Sequence, residues 1–301
     1  MSSMLVVDGN NLASRAFHGF GKGDEPHPTG TGFLMMLASV VDQFFERPSS
    51  VTVCFDGEGP LDRLKIFEGY KVRDPEPPEK AASRALYQRQ LKELIKLLKM
   101  GGVTVLQLQH READDIVAAL AERSGNARCT VHMLSNDRDL CQVVSNHVRL
   151  LRMGQGSRDL RSMGPAEVFE DFGVWPDEYV RFAAMRGDAS DGLPGVSGVG
   201  PKKAAAVIAA GLDPASASAS ELMKVDGVGA RLAEQMTSEQ ELFVRNVALM
   251  SLGDRGDSLL SEAVEVDREA VAGFADEIGV SRSAVAAIGQ ILNGTAWRMS
   301  A

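Results

Sequence analysis

The sequence of 301 residues lacks several patterns that would assign it to familiar classes of protein. It contains no apolar run near the ~20 residues that a membrane-spanning helix needs, so we expect no contact with a membrane. Its start, MSSMLVVDGNN, lacks the basic and then apolar segments of a secretory signal. Its three cysteines show no CxxC spacing, which argues against a disulfide framework or a cysteine zinc site. We therefore expect a protein of a reducing, cytoplasmic compartment.

Familiar catalytic motifs are absent as well. The sequence has no GxSxG motif and no Cys/His arrangement, so nothing indicates a serine or cysteine nucleophile. The motif GxxxxGK followed by Ser or Thr is missing, which argues against a nucleotide hydrolase. The five histidines show no spacing typical of zinc ligands. Calcium remains an alternative for a carboxylate site, although no EF-hand loop occurs.

The net charge of −9 is unusual for a protein that binds nucleic acid, because such a protein must neutralise phosphates. The excess is concentrated, however, since nine of the 41 acidic residues fall in the clusters described below. Setting these nine aside leaves 32 acidic residues against 32 basic ones, a balance of zero. Divalent cations bound by the clusters would return positive charge where phosphates arrive. The acidity therefore does not exclude a nucleic-acid partner.

The first half of the chain alternates short apolar runs with longer amphipathic stretches, which is typical of an α/β fold with a mainly parallel sheet. The predicted strands are 4–7, 51–55, 103–106, 130–134 and 148–151, and the predicted helices between them are 30–45, 83–100 and 113–123. After about residue 160 only helical patterns follow, at 165–172, 176–186, 202–210, 230–236, 239–252, 269–278 and 282–292. We therefore predict an α/β core over 1–160 and a helical region over 161–301.

The segment 187–206, GDASDGLPGVSGVGPKKAAA, combines two acids with a glycine turn. Asp188 and Asp191 precede the turn, and Pro201 follows it at a position that suits the first turn of a helix. Backbone N–H groups of such a turn are free to bind an anion, and two lysines stand beside them. A solvated helix start is the alternative interpretation. The predicted phosphate contacts are Gly195, Gly198, Gly200, Lys202 and Lys203.

Three aspartates, Asp8, Asp56 and Asp137, stand at or just beyond the ends of predicted strands. The carboxyl ends of the strands are where ligands bind in open α/β sheets. A single aspartate there is often a helix cap or a turn residue, but three on one edge favour a shared site. Asp139 joins Asp137 two residues later, on the same side if the chain is still extended.

Glu112, Asp114 and Asp115 form a further group at the start of the predicted helix 113–123. The helix dipole favours acids in a first turn, so capping is the alternative, yet three acids exceed what capping requires. Glu112 and Asp115 share a helix face, whereas Asp114 points about 100° away from Asp115. Not all three can reach one ion directly, and we expect one of them to act through water.

Nine clustered carboxylates would repel one another unless cations were bound among them. Mg²⁺ or Mn²⁺ fits this set, because hard cations take carboxylate oxygens and Mg²⁺ keeps several waters. Two ions about 4 Å apart suit in-line attack on a phosphodiester, one activating water and the other supporting the leaving 3′ oxygen. The sequence therefore predicts two or more divalent ions and a phosphodiester substrate.

The stretch 69–82, GYKVRDPEPPEKAA, is proline-rich and charged and has no apolar periodicity. An ordered connection in a sheet rarely needs so much polar chain. We therefore expect a mobile flap or arch over about 69–100, helical only in its later part. A surface loop without function is the alternative. A second glycine turn, VDGVGARLA at 225–233, is open to two interpretations, contact with DNA or a hairpin that only packs.

Five motifs occur in an order that resembles the 5′-nuclease and flap endonuclease family. They are VDGNN (7–11), FDG (55–57), READD (111–115), SNDRDL (135–140) and GDASDGLPGVSGVGPKKAA (187–205), and the likeness runs from about residue 3 to about residue 250. That family includes the nuclease domain of bacterial DNA polymerase I and free-standing phage and bacterial enzymes. The resemblance implies a PIN-like or resolvase-like nuclease core and a helix–three-turn–helix near 185–210.

The resemblance also implies roles for individual residues. It places a first metal group on Asp8, Asp56, Glu112, Asp114 and Asp115, and a second on Asp137, Asp139, Asp188 and Asp191. It implies that Arg15 contacts the scissile-strand phosphate, and it gives Arg15 and Lys71 both catalytic and DNA-binding roles. Arg73 is a further expected DNA contact, although it stands one position earlier than the family's basic residue. The glycine turn is expected to hold duplex DNA with a potassium ion on its carbonyls.

The implied function is a structure-specific 5′-nuclease, both a 5′-flap endonuclease and a 5′-3′ exonuclease, that leaves 5′-phosphate and 3′-hydroxyl ends. Its expected partners are DNA flaps, nicks and 5′ ends, and we expect a monomer in a bacterial or phage-like, nucleoid-associated setting. Because the sequence ends without a polymerase domain, we expect a stand-alone nuclease. The alternatives are a nuclease of RNA or RNA–DNA hybrids and a non-catalytic binder of branched DNA, which would gain nothing from nine carboxylates.

Overall fold

The computed structural model describes residues 2–21, 24–44, 50–59, 61–72, 75–253, 259 and 266–292. Six strands in these stretches form one sheet: β1 (Ser2–Asp8), β2 (Ser50–Phe55), β3 (Thr104–Gln107), β4 (Cys129–Leu134), β5 (Val148–Met153) and β6 (Leu160–Met163). Their order across the sheet is β3-β2-β1-β4-β5-β6, and only β5 and β6 pair antiparallel. The predicted, mainly parallel sheet is confirmed.

The strand order reverses at β1, which lies at the centre of the sheet. The chain places β2 and β3 on one side of β1 and then β4 and β5 on the other. Leu5, Val6 and Val7 of β1 are fully buried, as expected for a parallel strand that is covered on both faces. Val7 pairs with Val53 of β2 and with Leu134 of β4. This register brings the residues that follow β1, β2 and β4 to one edge, where a switch in strand order opens a crevice for ligands.

Helices cover both faces of the sheet. They are α1 (Gly9–Phe20), α2 (Pro28–Phe44), α3 (Pro78–Met100), α4 (Ala113–Ser124), α5 (Pro165–Phe172), α6 (Tyr179–Arg186), α7 (Pro201–Ala209), α8 (Ala219–Leu222), α9 (Ala230–Ser238), α10 (Gln240–Met250), α11 (Arg268–Ile278) and α12 (Arg282–Ile291). Helices α1, α2, α3, α11 and α12 share one apolar core with the sheet, and α4, α6 and α10 share the other. Among the described residues, every helix falls short of the length and apolar character that crossing a membrane requires.

Several elements differ from the predicted ones. Helix α1 is not predicted by the sequence pattern, because its first turn, Gly-Asn-Asn, is typical of a turn; Asp8 caps it by accepting a hydrogen bond from the Asn11 N–H. Strand β6 is not predicted either, because the strand patterns are expected to end at about residue 160. This short edge strand has only one buried side chain and therefore shows no clear apolar pattern. Helix α3 begins at Pro78 instead of 83, because Pro78 suits a first helical turn.

The C-terminal helices return to the first half of the chain. Helix α12 packs against α2, and α11 packs against α3. In contrast, α10 packs against α6, on the opposite face of the sheet. Two short strands, β7 (Gly187–Asp188) and β8 (Leu193–Pro194), form a separate antiparallel pair between α6 and α7. The acids of the segment 187–206 therefore sit on a small ribbon beside the sheet.

Candidate metal centre

The carboxyl edge of the sheet opens into a cleft of about 770 Å³. Asp8 ends β1, and Asp56 follows β2, so the register of the sheet places both at this edge. The predicted acids that line the cleft are Asp8, Asp56, Glu112, Asp114 and Asp137. Acids from four of the five motifs thus share one cavity.

A second cleft of about 350 Å³ adjoins the first, and Asp137 lines both. Asp139 and Asp188 line the second cleft together with Arg186. Asp191 lines neither cleft, but the Tyr70 hydroxyl lies 3.3 Å from its carboxylate and 2.9 Å from that of Glu112, which links Asp191 to the first acidic group. The two acidic groups predicted from the sequence therefore meet at Asp137 and Asp191.

Asp8 is one of three buried acids of the first group, with 4% of its surface exposed, as for Glu112 and Asp115. Its carboxylate accepts hydrogen bonds from the Asn11 N–H at 3.0 Å and from the Ser135 hydroxyl at 2.7 Å. Burial, with a smaller effect from the charges of Asp137 and Asp56, raises the pKa of Asp8 to about 6 in spite of these two hydrogen bonds. Because burial disfavours the ionised form of Asp8, a bound cation nearby would favour its ionisation.

The start of α4 brings Glu112, Asp114 and Asp115 together, with one carboxylate oxygen of each within 4.8 Å of the others. Burial raises the pKa of Asp114 well above its ordinary value, and the neighbouring carboxylates of Asp115 and Glu112 raise it further. Burial also opposes the ionisation of Glu112, but Lys71 and Arg63 reverse this effect and lower its pKa. The group can therefore hold an ion, with Glu112 already charged.

Two basic side chains inside the first group balance part of its charge. The Lys71 ammonium pairs with Glu112 and lies 3.6 Å from Asp191, so it joins the two acidic groups. Arg63 is only 4% exposed and pairs with Glu112 and Asp115. The sequence pattern does not reveal Arg63, because a lone arginine six residues beyond FDG shows no periodicity and its partners are 49 and 52 residues away.

The second group is held mainly by its own backbone. The Asp139 N–H donates to Asp137 at 2.8 Å, and the Asp137 N–H donates to the Ser135 hydroxyl at 3.0 Å. Burial and repulsion from Asp137, Asp188 and Asp191 together raise the pKa of Asp139 to about 8, although Arg186 opposes them. These acids repel one another as the sequence predicts.

The glycine turn follows this group directly. Gly195 lies so close to the Arg186 carbonyl that a Cβ atom would stand 2.1 Å from its oxygen, and Gly198 has a positive φ of 78°. Both positions therefore require glycine. Gly200 precedes the first residue of α7, with open space around it, and Lys202 beside it is exposed. The geometry suits an anion at the start of α7, and the helix–three-turn–helix assignment stays a prediction.

Other predicted contacts lie apart from the acids. Lys203 donates to the Gly198 carbonyl at 3.3 Å and so supports the turn. The Arg15 guanidinium donates to the carbonyls of Met153 and Gly154, at the end of β5. Arg73 lies outside the described residues. In the second glycine turn Gly227 has a positive φ of 76° and α9 begins at Ala230, so its contact with DNA stays a prediction.

The predicted arch segment forms a wall of the larger cleft. The lining residues that it supplies are Lys71, Glu76, Lys80, Ser83, Arg84, Tyr87, Gln88 and Leu91. The first two turns of α3 are largely exposed, whereas Leu94, Leu97 and Leu98 near its end are buried in the core. A helix that is anchored only at its far end can line an opening to solvent beside the acids.

The chemistry of the site fits hard divalent cations. Its potential ligands are carboxylate oxygens. Burial and mutual repulsion raise the pKa values of five of these acids, Asp8, Asp56, Asp114, Asp139 and Asp191. In the part of the chain that the structure describes, no cysteine lines either of the two acidic clefts, and His18 is the one histidine that lines them. Oxygen ligands of this kind favour Mg²⁺ or Mn²⁺ over zinc.

Comparison with known proteins agrees with this picture. The family model described as 5′-3′ exonuclease, N-terminal resolvase-like domain, matches residues 3–173. DNA polymerase I of Mycobacterium tuberculosis is 32% identical over 256 residues, covering 83% of this chain and 27% of that protein. A 5′-3′ exonuclease of Aquifex aeolicus is 32% identical over 208 residues, covering 68% of each chain. The chain therefore spans about a quarter of the length of the polymerase relatives that it matches.

Solved structures show the same fold. The T5 D15 protein co-crystallised with metal ions has a TM-score of 0.67 at 17% identity, covering 97% of this chain and 98% of that chain. Flap endonuclease-1 from Methanococcus jannaschii has a TM-score of 0.59 at 17% identity, covering 97% and 93%. At this identity the likeness concerns the fold. Together with the matched resolvase-like domain, it confirms the predicted α/β nuclease core with a helical C-terminal region.

Proposed function

The chain belongs to the 5′-3′ exonuclease family, and on that basis we propose that it is a metal-dependent, structure-specific 5′-nuclease. Its substrates are DNA molecules with 5′ flaps, nicks or 5′ ends, and its products carry 5′-phosphate and 3′-hydroxyl groups. The observation that carries this proposal is the convergence of Asp8, Asp56, Glu112, Asp114 and Asp137 on one cleft. Potassium at the glycine turn, a monomeric state and a cytoplasmic location remain predictions.

We assign the metal ligands to two adjoining groups. Asp8, Asp56, Glu112 and Asp114 hold the first ion, and Asp137, Asp139, Asp188 and Asp191 hold the second. Bound divalent ions supply Lewis acidity toward the phosphate and a more acidic water. The raised pKa values of Asp8 and Asp139 support this assignment, because crowded acids are the ones whose ionisation a cation favours.

Lys71 is the cation that we place beside the reacting phosphate. Its ammonium contacts Glu112 and Asp191, one acid from each group, and it lines the larger cleft. A cation fixed in this way stabilises negative charge that develops on a phosphate in the transition state, because it needs no reorganisation at that moment. The Tyr70 hydroxyl donates to Glu112 at 2.9 Å and holds that carboxylate in place.

The DNA duplex is held by the glycine turn and by Lys202 and Lys203, and the 5′ strand passes along the wall formed by α3. Two basic groups of that wall, the exposed Lys80 and the half-buried Arg84, which pairs with Glu76, line the cleft and can contact phosphates. The bacteriophage T5 flap endonuclease has been crystallised with DNA and metal ions, which supports a nucleic-acid substrate for this fold. Arg15 remains a proposed phosphate contact.

The test is cleavage of end-labelled duplexes that carry a 5′ flap, a nick or a blunt end, with Mg²⁺ or with EDTA, on a denaturing gel. We expect cleavage near the base of the flap only with Mg²⁺, and a nicked product that DNA ligase seals. An RNA flap of the same sequence separates DNA from RNA preference. Binding to branched DNA without cleavage under any of these conditions would instead support the non-catalytic alternative.

A further inference from the structure

Arg63 stands in a short 3₁₀ turn, Asp62–Lys65, that follows β2. Its guanidinium is buried and donates to two acids of the first metal group. Nη1 lies 2.6 Å from Glu112 Oε2 and 2.6 Å from Asp115 Oδ2, and Nη2 lies 2.8 Å from Asp115 Oδ1. Arg63 therefore binds Asp115 through both carboxylate oxygens and binds Glu112 through one.

This pairing changes the role of Asp115. Asp115 is as buried as Glu112, each with 4% of its surface exposed, but Asp115 lines neither acidic cleft, whereas Glu112 and Asp114 line the larger one. The Glu112 N–H also donates to Asp115 Oδ2 at 3.4 Å. The guanidinium takes one lone pair of each Asp115 oxygen, so the side of this carboxylate that faces Arg63 is closed to a metal ion.

The same guanidinium reaches a third element. Arg63 Nε donates to the Leu249 carbonyl at 2.6 Å, and Nη2 donates to the Ser251 carbonyl at 3.5 Å. Both carbonyls belong to the end of α10, where the last turn of a helix leaves carbonyl groups without partners in the helix and carries partial negative charge. Arg63 thus joins the start of α4 to the end of α10.

The end of α10 is tied to the second acidic group as well. Gln142 donates to the Met250 carbonyl at 3.1 Å and to the Asp139 carbonyl at 2.8 Å, and it accepts from the Leu252 N–H at 2.9 Å. Asn246, which is fully buried, donates to the Pro194 carbonyl at 2.8 Å, on the ribbon that carries Asp188. The end of α10 therefore contacts both halves of the metal centre.

We propose, on the basis of the nuclease function proposed above, that Arg63 is a positioning residue and that Asp115 is its counter-ion and does not ligate a metal. Arg63 fixes Glu112 from behind, and through α10 it holds the first acidic group in register with the second. Only arginine supplies this arrangement, because its planar fork makes several directed hydrogen bonds at once, whereas lysine offers a single ammonium.

The first test compares Asp115→Asn with Asp114→Asn in the full chain without DNA. Asparagine at 115 can still accept hydrogen bonds from Arg63, so the variant keeps the packing. Titration with Mn²⁺, followed by electron paramagnetic resonance, should show that Asp114→Asn weakens binding at least about tenfold more than Asp115→Asn does. Equal losses in the two variants would make Asp115 a ligand and overturn the proposal.

The second test compares Arg63→Met and Arg63→Lys in cleavage of a 5′ flap. Loss of a residue that orients ligands typically costs about 10–100-fold, and we expect this loss in kcat with little change in KM for DNA. Arg63→Lys should recover part of it, because the charge remains. An unchanged kcat in Arg63→Met, or a loss confined to KM, overturns the positioning role.

Arg161→Met is the matched control. Arg161 also binds a carboxylate bidentately, that of Asp171 at 2.7 and 2.9 Å, but on the surface and away from the acids. It should leave kcat unchanged. Thermal melting is recorded for every variant, and if Arg63→Met does not fold, the comparison of Asp115→Asn with Asp114→Asn decides. The Mn²⁺ comparison also separates this proposal from the proposed function, because it does not depend on cleavage.

Discussion

Asn10 and Asp56 exchange two hydrogen bonds across the edge of the sheet. Asn10 Nδ2 donates to Asp56 Oδ2 at 2.8 Å, and the Asp56 N–H donates to Asn10 Oδ1 at 2.9 Å. The pair joins the motif after β1 to the motif after β2, which are 46 residues apart. Asp56 also accepts from the Ala113 N–H at 2.8 Å, so one carboxylate connects three elements of the metal centre.

Replacing Asn10 should therefore disturb Asp56 without removing it. In Asn10→Ala the side chain that orients Asp56 is lost, and we expect Mg²⁺-dependent cleavage to fall about 10–100-fold, as for other groups that orient metal ligands. Gln43→Ala, which removes an exposed amide on α2, is the control. The measurement is the rate of flap cleavage over a range of Mg²⁺ concentrations. A wild-type rate in Asn10→Ala would show that Asp56 does not need the hydrogen bonds from Asn10.

Asp137 lines both acidic clefts and should be indispensable. Asp137→Asn removes a charge shared by the two groups, so we expect Mg²⁺-dependent cleavage to be abolished while binding to a 5′ flap remains measurable. Gel-shift binding and a cleavage gel test the two parts separately. Asp177→Asn, at an exposed position, is the control, and cleavage by Asp137→Asn near the wild-type rate would remove Asp137 from the site.

Lys202 is exposed at the start of α7 and is predicted to contact a DNA phosphate. Lys202→Ala should weaken binding to all DNA sequences alike and reduce the salt dependence of binding by roughly one unit, because one fewer counter-ion is released. Binding measured at several salt concentrations gives the slope. Lys99→Ala, at the far end of α3, should keep the wild-type slope, and an unchanged slope in Lys202→Ala means that this lysine does not contact phosphate.

The stability of the metal-free protein should depend on pH. Burial raises the pKa of Asp8 to about 6 and that of Asp139 to about 8, both from an ordinary value of 3.8. At these two groups the folded state binds more protons than the unfolded state, so their contribution to stability falls as pH rises from about 4 to about 8. Melting temperatures in EDTA should decline over this range.

Divalent ions should reverse that decline. Because the ions bind the ionised carboxylates, Mg²⁺ should raise the melting temperature more at pH 8 than at pH 6. Asp139→Asn should remove part of the decline seen in EDTA, since an amide does not titrate. A melting temperature in EDTA that stays level from pH 5 to pH 8 would show that these acids are not crowded in solution.

The wall formed by α3 predicts a dependence on the free 5′ end. If the 5′ strand threads beneath this segment, a bulky protein bound to a tag at the 5′ end should slow flap cleavage markedly. The same block added after the enzyme has bound the flap, before Mg²⁺ is supplied, should have little effect. Equal rates with the free and the blocked flap would mean that the strand passes outside the wall.

The sequence allowed much of the centre to be predicted, and the reason is geometric. Asp8, Asp56 and Asp137 follow strands, and in a parallel sheet the ends of neighbouring strands meet at one edge. The apolar runs of β1, β2 and β4 were recognisable because these strands are buried on both faces. Strand positions alone therefore brought acids from three distant motifs together.

The positions of Arg63 and Asp115 could not be obtained in that way. Asp115 follows Asp114 in the sequence, and both are acids at the start of a helix, so residue type and spacing do not separate a metal ligand from a counter-ion. What distinguishes Asp115 from Asp114 is its contact with the Arg63 guanidinium, which is 52 residues away in the sequence. Such a contact leaves no periodic pattern in the chain.

The sequence by itself determined the fold class and the family and predicted a set of candidate acids, because these depend on hydrophobic periodicity and on motifs that are local in the chain. The tertiary structure decided which acids face the cleft and which are held by internal cations. It also decided that the end of α10 contacts both acidic groups. These features depend on contacts between side chains that are distant in the sequence and form only when the helices pack on the sheet. Short-range sequence patterns carry no information about such contacts.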